Sequence, residues 1–137
     1  MLVEVSLLDS AMGLLGYFAS NYWQGGVEPR RMGSAHPLLC PYQAFDTADG
    51  AIMLAVGNDA QWRRFCTVAE LKEERDDPRF ATNAARVANF AATTEATQAV
   101  LLARTTDAWV QALASANVPC SPVNTLATAL AHPQVAE

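Results

Sequence analysis

The sequence predicts an α+β chain, with several helices, one β-hairpin and one short extra strand. Apolar residues recur at steps of three and four over most of the 137 residues, and that period lapses over residues 42–56. There, two extended runs flank an Ala48-Asp49-Gly50 turn, and a second lapse lies between two prolines at residues 120–124.

From Val5 to Trp23 the larger apolar residues fall at Leu8, Met12, Leu15, Phe18 and Tyr22, with a second stripe through Leu7, Ala11 and Leu14. Apolar around most of its girth, this stretch reads as one buried helix ended by Gly25-Gly26 and kept from resuming by Pro29. Residues 1–25 are read as this helix and residues 26–41 as an irregular loop. Aperiodic loops of that length in compact domains tend to be functional. Residues 42–137 form the remaining α+β portion. In it, Tyr42, Ala44 and Asp46 face one way and Gln43, Phe45 and Thr47 the other, with Gly50 expected to take a left-handed turn conformation. Residues 51–56 are apolar throughout, which predicts cover on both faces. Asn58 or Asp59 caps a helix with Trp62, Phe65, Cys66 and Ala69 inward and Arg63 and Arg64 outward. Residues 76–80 form a turn with Phe80 plugged inward, and Thr82 or Asn83 caps the next helical segment. A long helix follows to about Ala103. Thr106 opens another with Trp109 and Leu113 inward, Asn117-Val118-Pro119 stops it, and Thr125 caps a last helix ending at His132-Pro133.

Composition excludes several functions. Nine basic against fourteen acidic residues give a net charge of −5, and Lys72 is the single lysine, so the chain lacks the basic footprint of a nucleic-acid binder. Residues 10–27 carry no charge, yet glycines and polar residues interrupt the run below the roughly 20 apolar residues of a membrane span. Cys40, Cys66 and Cys120 are far apart and odd in number, which favours buried free thiols in a reducing cytoplasm over disulfides or zinc. There is no phosphate-binding glycine loop and no nucleophile elbow. The acidic pairs Glu73-Glu74 and Asp76-Asp77 are expected in solvent, and Asp9 is the carboxylate expected to be partly buried. His132 is expected to cap a helix end; His36, within the long loop, is the histidine with functional promise. No catalytic residue and no metal ligand is assigned.

The order of short motifs adds to this. Val5-Ser6-Leu7-Leu8-Asp9-Ser10-Ala11 precedes Arg31-x-Gly33-x-x-His36-Pro37 and Pro41-Tyr42-x-x-Phe45-x-Thr47-x-Asp49-Gly50. Gly57-Asn58-Asp59-x-Gln61-Trp62 and Asp77-Pro78-Arg79-Phe80-x-Thr82-Asn83-x-x-Arg86 follow. Trp109, Val118-Pro119-x-x-Pro122-Val123 and His132-Pro133-Gln134-Val135 complete the series. Over nearly the whole chain this order resembles the class III CoA-transferases of the CaiB/BaiF type, a family that includes formyl-CoA transferase, carnitine CoA-transferase and α-methylacyl-CoA racemase.

The resemblance implies a linker helix plus a small α+β domain, about one third of a larger two-domain fold whose chains interlock as a dimer. The Rossmann-like CoA-binding half, with the aspartate that carries the acyl anhydride and thioester intermediates, is expected upstream; Asp9 does not match it. Both abrupt ends of the sequence fit a piece of a longer protein. The resemblance places the loop over the active site, where it shields acyl intermediates from water, and so marks Arg31, Gly33, Ser34, Ala35, His36 and Tyr42. The Gly33-Ser34-Ala35-His36 run departs from the glycine run of formyl-CoA transferases, towards the carnitine-, succinyl- and racemase-like branches. The implied activity is transfer of CoA between an acyl-CoA and a carboxylic acid, with this portion inactive alone. The CoA thioester is a substrate and no cofactor is covalently bound. The partner is another copy or a missing N-terminal half. A part of a racemase and a free-standing interaction domain are the two alternative readings.

Overall fold

The computed structural model describes residues 3–136, so residues 1, 2 and 137 of the expected segments lie outside it. The chain divides into two compact units, residues 1–31 and residues 32–137. The expected loop at 26–41 is therefore shared, with residues 32–41 belonging to the second unit.

In the first unit, the Ser6 hydroxyl accepts from the Asp9 N–H at 3.3 Å and starts α1, Leu7–Gly13. Gly16, at φ +50°, interrupts the path, and α2 runs Tyr17–Gly25. The next residue, Gly26 at φ +65°, closes α2 by donating its N–H to the Tyr22 carbonyl at 2.7 Å. The single expected helix is thus two helices, because Gly16 takes a backbone angle that a side chain would resist. The expectation of burial also fails. No residue of α1 or α2 is buried, Leu7 and Leu14 are each 87% exposed, and Asp9 is exposed as well. The described residues of the first unit do not by themselves cover the apolar girth.

In the second unit, β1 (Tyr42–Asp46) and β2 (Ala51–Ala55) pair antiparallel with Phe45 opposite Ile52, and β3 (Cys120–Pro122) joins the other edge of β2. Gly50 is not left-handed. A Cβ there would come within 3.0 Å of the Thr106 hydroxyl, so close approach, not φ, calls for glycine. The turn is tied down by the Asp49 carboxylate, which accepts from the Thr106 N–H at 2.7 Å and the Thr106 hydroxyl at 3.0 Å. Those bonds, the backbone N–H first, hold the Asp49 carboxyl below its ordinary range.

Around the sheet lie α3 (Asp59–Ala69), α4 (Lys72–Asp76), α5 (Asn83–Ala88), α6 (Phe90–Leu101), α7 (Thr106–Ser115), α8 (Leu126–Leu130) and α9 (Pro133–Ala136). Asn58, Thr82, Thr105 and Thr125 cap α3, α5, α7 and α8 with their side chains. The helix capped by Thr125 is not the last: α8 stops at Leu130 and α9 follows, and His132 accepts the Gln134 N–H on Nδ1 at 3.3 Å at the start of α9 and not at the end of a final helix. The core joins Phe45, Ile52 and Leu54 of the sheet to Trp62 and Phe65 of α3, Leu101 of α6, and Trp109 and Leu113 of α7. Trp109 donates Nε1–H to the Leu101 carbonyl at 2.8 Å, which satisfies its one polar atom inside the core. In β2 only Ile52 and Leu54 are fully buried while Ala51, Met53 and Ala55 are half-buried, so one face is sealed and the other partly covered. Among the described residues no helix is long and apolar enough to cross a membrane.

Candidate functional site

The loop of residues 32–41 is built onto the outer edge of β1. An edge strand presents unpaired N–H and C=O groups that need partners. In β1, the Tyr42 carbonyl accepts from the His36 N–H at 2.9 Å, and the Ala44 N–H donates to the Ser34 hydroxyl at 3.0 Å. Further along, Gln98 of α6 takes both main-chain groups of Asp46, at 3.1 and 3.0 Å. The loop lies along the strand where a fourth strand would pair.

Its tip is a tight turn in which Ala35 N–H donates to the Met32 carbonyl at 3.0 Å and Gly33 sits at φ +61°. Gly33 and Ser34 are exposed; Ala35, His36 and Tyr42 are half-buried. The His36 ring lies 5.3 Å from the Tyr42 ring at 60° and accepts the Leu38 N–H on Nδ1 at 3.0 Å. That acceptor role places the ring proton of the neutral imidazole on Nε2. His36 thus shapes the loop through its main chain and its ring alike. Of the six residues expected at the site, the structure brings together Gly33, Ser34, Ala35, His36 and Tyr42. Arg31 is exposed and is the last residue of the first unit.

Behind the loop stands a polar cluster that the sequence did not disclose as part of the site. Arg86 is fully buried on α5, and its guanidinium donates from Nε to the Cys40 carbonyl at 2.7 Å and from Nη1 to the Phe80 carbonyl at 2.8 Å. Nη2 donates to Asp59 Oδ1 at 3.0 Å, and the Trp62 ring lies 5.2 Å from the guanidinium carbon. The same Asp59 oxygen accepts the Asn83 N–H at 2.7 Å. Asn83 grips the loop with both ends of its amide, accepting the Cys40 N–H at 3.2 Å and donating to the Leu38 carbonyl at 2.8 Å. Both main-chain groups of Cys40 are therefore held from α5. A buried arginine is tolerated because each of its three nitrogens has an acceptor and a carboxylate balances its charge. The signal was present in two quoted motifs, Gly57-Asn58-Asp59 and Thr82-Asn83-x-x-Arg86, and in the placing of an arginine among alanines on a short helix.

Other candidates dissolve into structure. Cys40 and Cys66 are buried free thiols and Cys120 is half-buried. Burial, with Glu74 adding to it, pushes the Cys66 thiol up to about 12, and burial also raises Cys40 and Cys120, so none is a nucleophile at neutral pH. Asp76 pairs with Arg75 at 2.9 Å and Asp77 with Arg79 at 2.7 Å; the arginine hydrogen bonds hold both carboxyls low, and Asp76 is solvated as expected while Asp77 is half-buried. A groove of about 300 Å³ beside them is lined by Glu73, Glu74, Asp77 and Glu95 with only Arg79 opposing, the wrong sign for a nucleotide's phosphates. Among the described residues no three His, Cys, Asp or Glu side chains gather as metal ligands.

Comparison with known proteins agrees with this layout. The chain is 37% identical over 133 residues to the succinate–glutarate CoA-transferase of Agrobacterium fabrum, covering 97% of this chain and 33% of that protein. It is 33% identical to the human succinyl-CoA:glutarate CoA-transferase, covering 97% of this chain and 30% of that one. Among solved structures, a CaiB/BaiF family protein from Brucella suis superposes with a TM-score of 0.82 at 40% identity, covering 96% of this chain and 35% of that chain. The chain thus spans about a third of the length of these relatives. With all of residues 1–137 matching the pattern of CoA-transferase family III, the chain belongs to that family.

Proposed function

We propose that the chain is the small-domain portion of an enzyme that moves CoA between an acyl-CoA and a carboxylic acid, and that it is inactive alone. The observation that carries this reading is the family match along the entire chain, with relatives named for CoA transfer between succinate and glutarate. The preferred substrates are accordingly short dicarboxylates and their CoA monothioesters. In this reading residues 33–42 lie over the reacting acyl group. The small side chains of Gly33, Ser34 and Ala35 let main chain come close to it, and the half-buried His36 and Tyr42 rings close the loop behind. Excluding water matters because an activated acyl group in open solvent hydrolyses before it is transferred. Arg31 is included on family resemblance alone. The nucleophilic aspartate and the CoA cradle are assigned to the family's larger half.

The exposed apolar residues of α1 and α2 support a partner for the first unit, either that half or a second copy in the interlocked dimer. A cytoplasmic enzyme is the setting that three unpaired cysteines favour. A complete protein carrying this chain is expected to convert succinyl-CoA and glutarate to glutaryl-CoA and succinate. Failure to transfer CoA among short dicarboxylates, or racemisation of a 2-methylacyl-CoA instead, overturns the reading.

A further inference from the structure

We infer that Asn83 and Arg86 are positioning residues that latch the loop and thereby set how much CoA is lost to water instead of transferred. This rests on the function proposed above for its second half only; the latch itself stands on the geometry of this chain. Besides the Pro41 carbonyl, which accepts the Val56 N–H at 3.0 Å where β1 begins, the described loop residues have two attachments. Ser34 and His36 fix its first half to β1, and Asn83 and Arg86 fix its second half through the main chain of Leu38 and Cys40. Side-chain-to-main-chain bonds spanning 43 to 46 residues hold a specific backbone path that local turn chemistry does not impose. The first attachment leans on an exposed serine hydroxyl, whereas the second rests on a fully buried guanidinium, so the second is the rigid anchor.

Loosening that anchor admits water over the acyl group. Water then adds to the acyl carbon, the carbon–sulfur bond breaks, and the products are the free carboxylate, a proton and the CoA thiol. Transfer instead delivers CoA to the acceptor acid with no net consumption of water.

Two measurements test this on Asn83→Ala and Arg86→Lys. Asn83→Ala removes both amide contacts with the loop and leaves the core untouched; Arg86→Lys keeps the charge and loses the fork. By hydrogen exchange on this chain, amides of residues 33–44 in either variant are expected to exchange roughly tenfold faster, with core amides of β2 and α7 unchanged in Asn83→Ala. Unchanged loop exchange in Asn83→Ala overturns the latch. In the complete enzyme, the ratio of free CoA thiol released from succinyl-CoA to glutaryl-CoA formed is expected to rise several-fold in Asn83→Ala. A merely destabilised domain lowers both reactions together and leaves that ratio fixed, and that result would overturn the positioning role. If the unaltered complete enzyme transfers no CoA, the function proposed above fails, and loop exchange still decides the latch.

Discussion

Residues 7–25 carry Leu7, Leu8, Met12, Leu14, Leu15, Tyr17, Phe18, Tyr22 and Trp23 and bury none of them. Residues 40–118, no richer in large apolar side chains to the eye, bury Phe45, Trp62, Phe65, Phe80, Trp109 and Leu113 almost completely. The difference lies in cross-links of high sequence separation, not in composition. The second unit closes a sheet and ties its hairpin tip to α7 and its loop to α5, whereas the hydrogen bonds that start and close the two helices of the first unit are local. An apolar segment without such closure is a surface waiting for another body.

The sharpest way to break this comparison is to remove one tryptophan from each unit. Trp109→Ala deletes a fully buried ring and its bond to the Leu101 carbonyl. It is expected to cost about 3–5 kcal/mol by urea unfolding. Trp23→Ala, at a ring 74% exposed, is expected to stay within about 0.5 kcal/mol of the unaltered chain. Equal losses would mean the first unit has a core of its own.

Next in size is Asp59→Ala, which leaves the buried Arg86 guanidinium without its carboxylate and the Asn83 N–H without its acceptor. Because Asp59 is 42% exposed, water recovers part of the loss, and about 2 kcal/mol is expected in the same assay. A neutral result would show that the cluster is ornamental to the fold.

A third effect appears with pH. The Cys66 thiol is pushed up to about 12 by burial. In the unfolded chain it ionises near ~8.5. Above that pH the unfolded state binds fewer protons, so the stability present below it declines as pH rises towards the folded value. The melting temperature of the second unit should fall beyond about pH 9, and Cys66→Ala should flatten part of that fall relative to its own neutral value. Cys40 and Cys120 are shifted the same way and account for a remainder. An unaltered slope in the variant would contradict this.

The smallest effect concerns the helix break. Gly16→Ala is strained at φ +50°, so in a peptide of residues 3–26 it should raise helical ellipticity slightly by favouring one continuous helix. No change would show that Leu14 and Leu15, not Gly16, set the break.

What could be read in the sequence followed the range of the interaction. Caps at Asn58, Thr82 and Thr125 are visible because donor and acceptor lie three residues apart, and Trp62, Phe65 and Trp109 were placed inward by helical period alone. The turn sequence predicts a φ requirement at Gly50, whereas the structure shows a clearance requirement against Thr106, a residue distant in sequence. Lys72-Glu73-Glu74-Arg75-Asp76 offers no apolar period, so nothing in the sequence announces α4. The apolar neighbours of Asp9 predict partial burial, but the described residues of the first unit leave it and them exposed. Family resemblance marks the loop residues Ser34, His36 and Tyr42, while for Asn83 and Arg86, which hold the loop, the motif alone signals no role. Contacts across more than 40 positions leave no periodic trace.

The central claim is that this chain supplies a lid and no nucleophile. Intact-mass analysis of the isolated chain after incubation with succinyl-CoA tests it directly. The account predicts an unchanged mass; a covalent acyl or CoA adduct on a carboxylate of these 137 residues would contradict it.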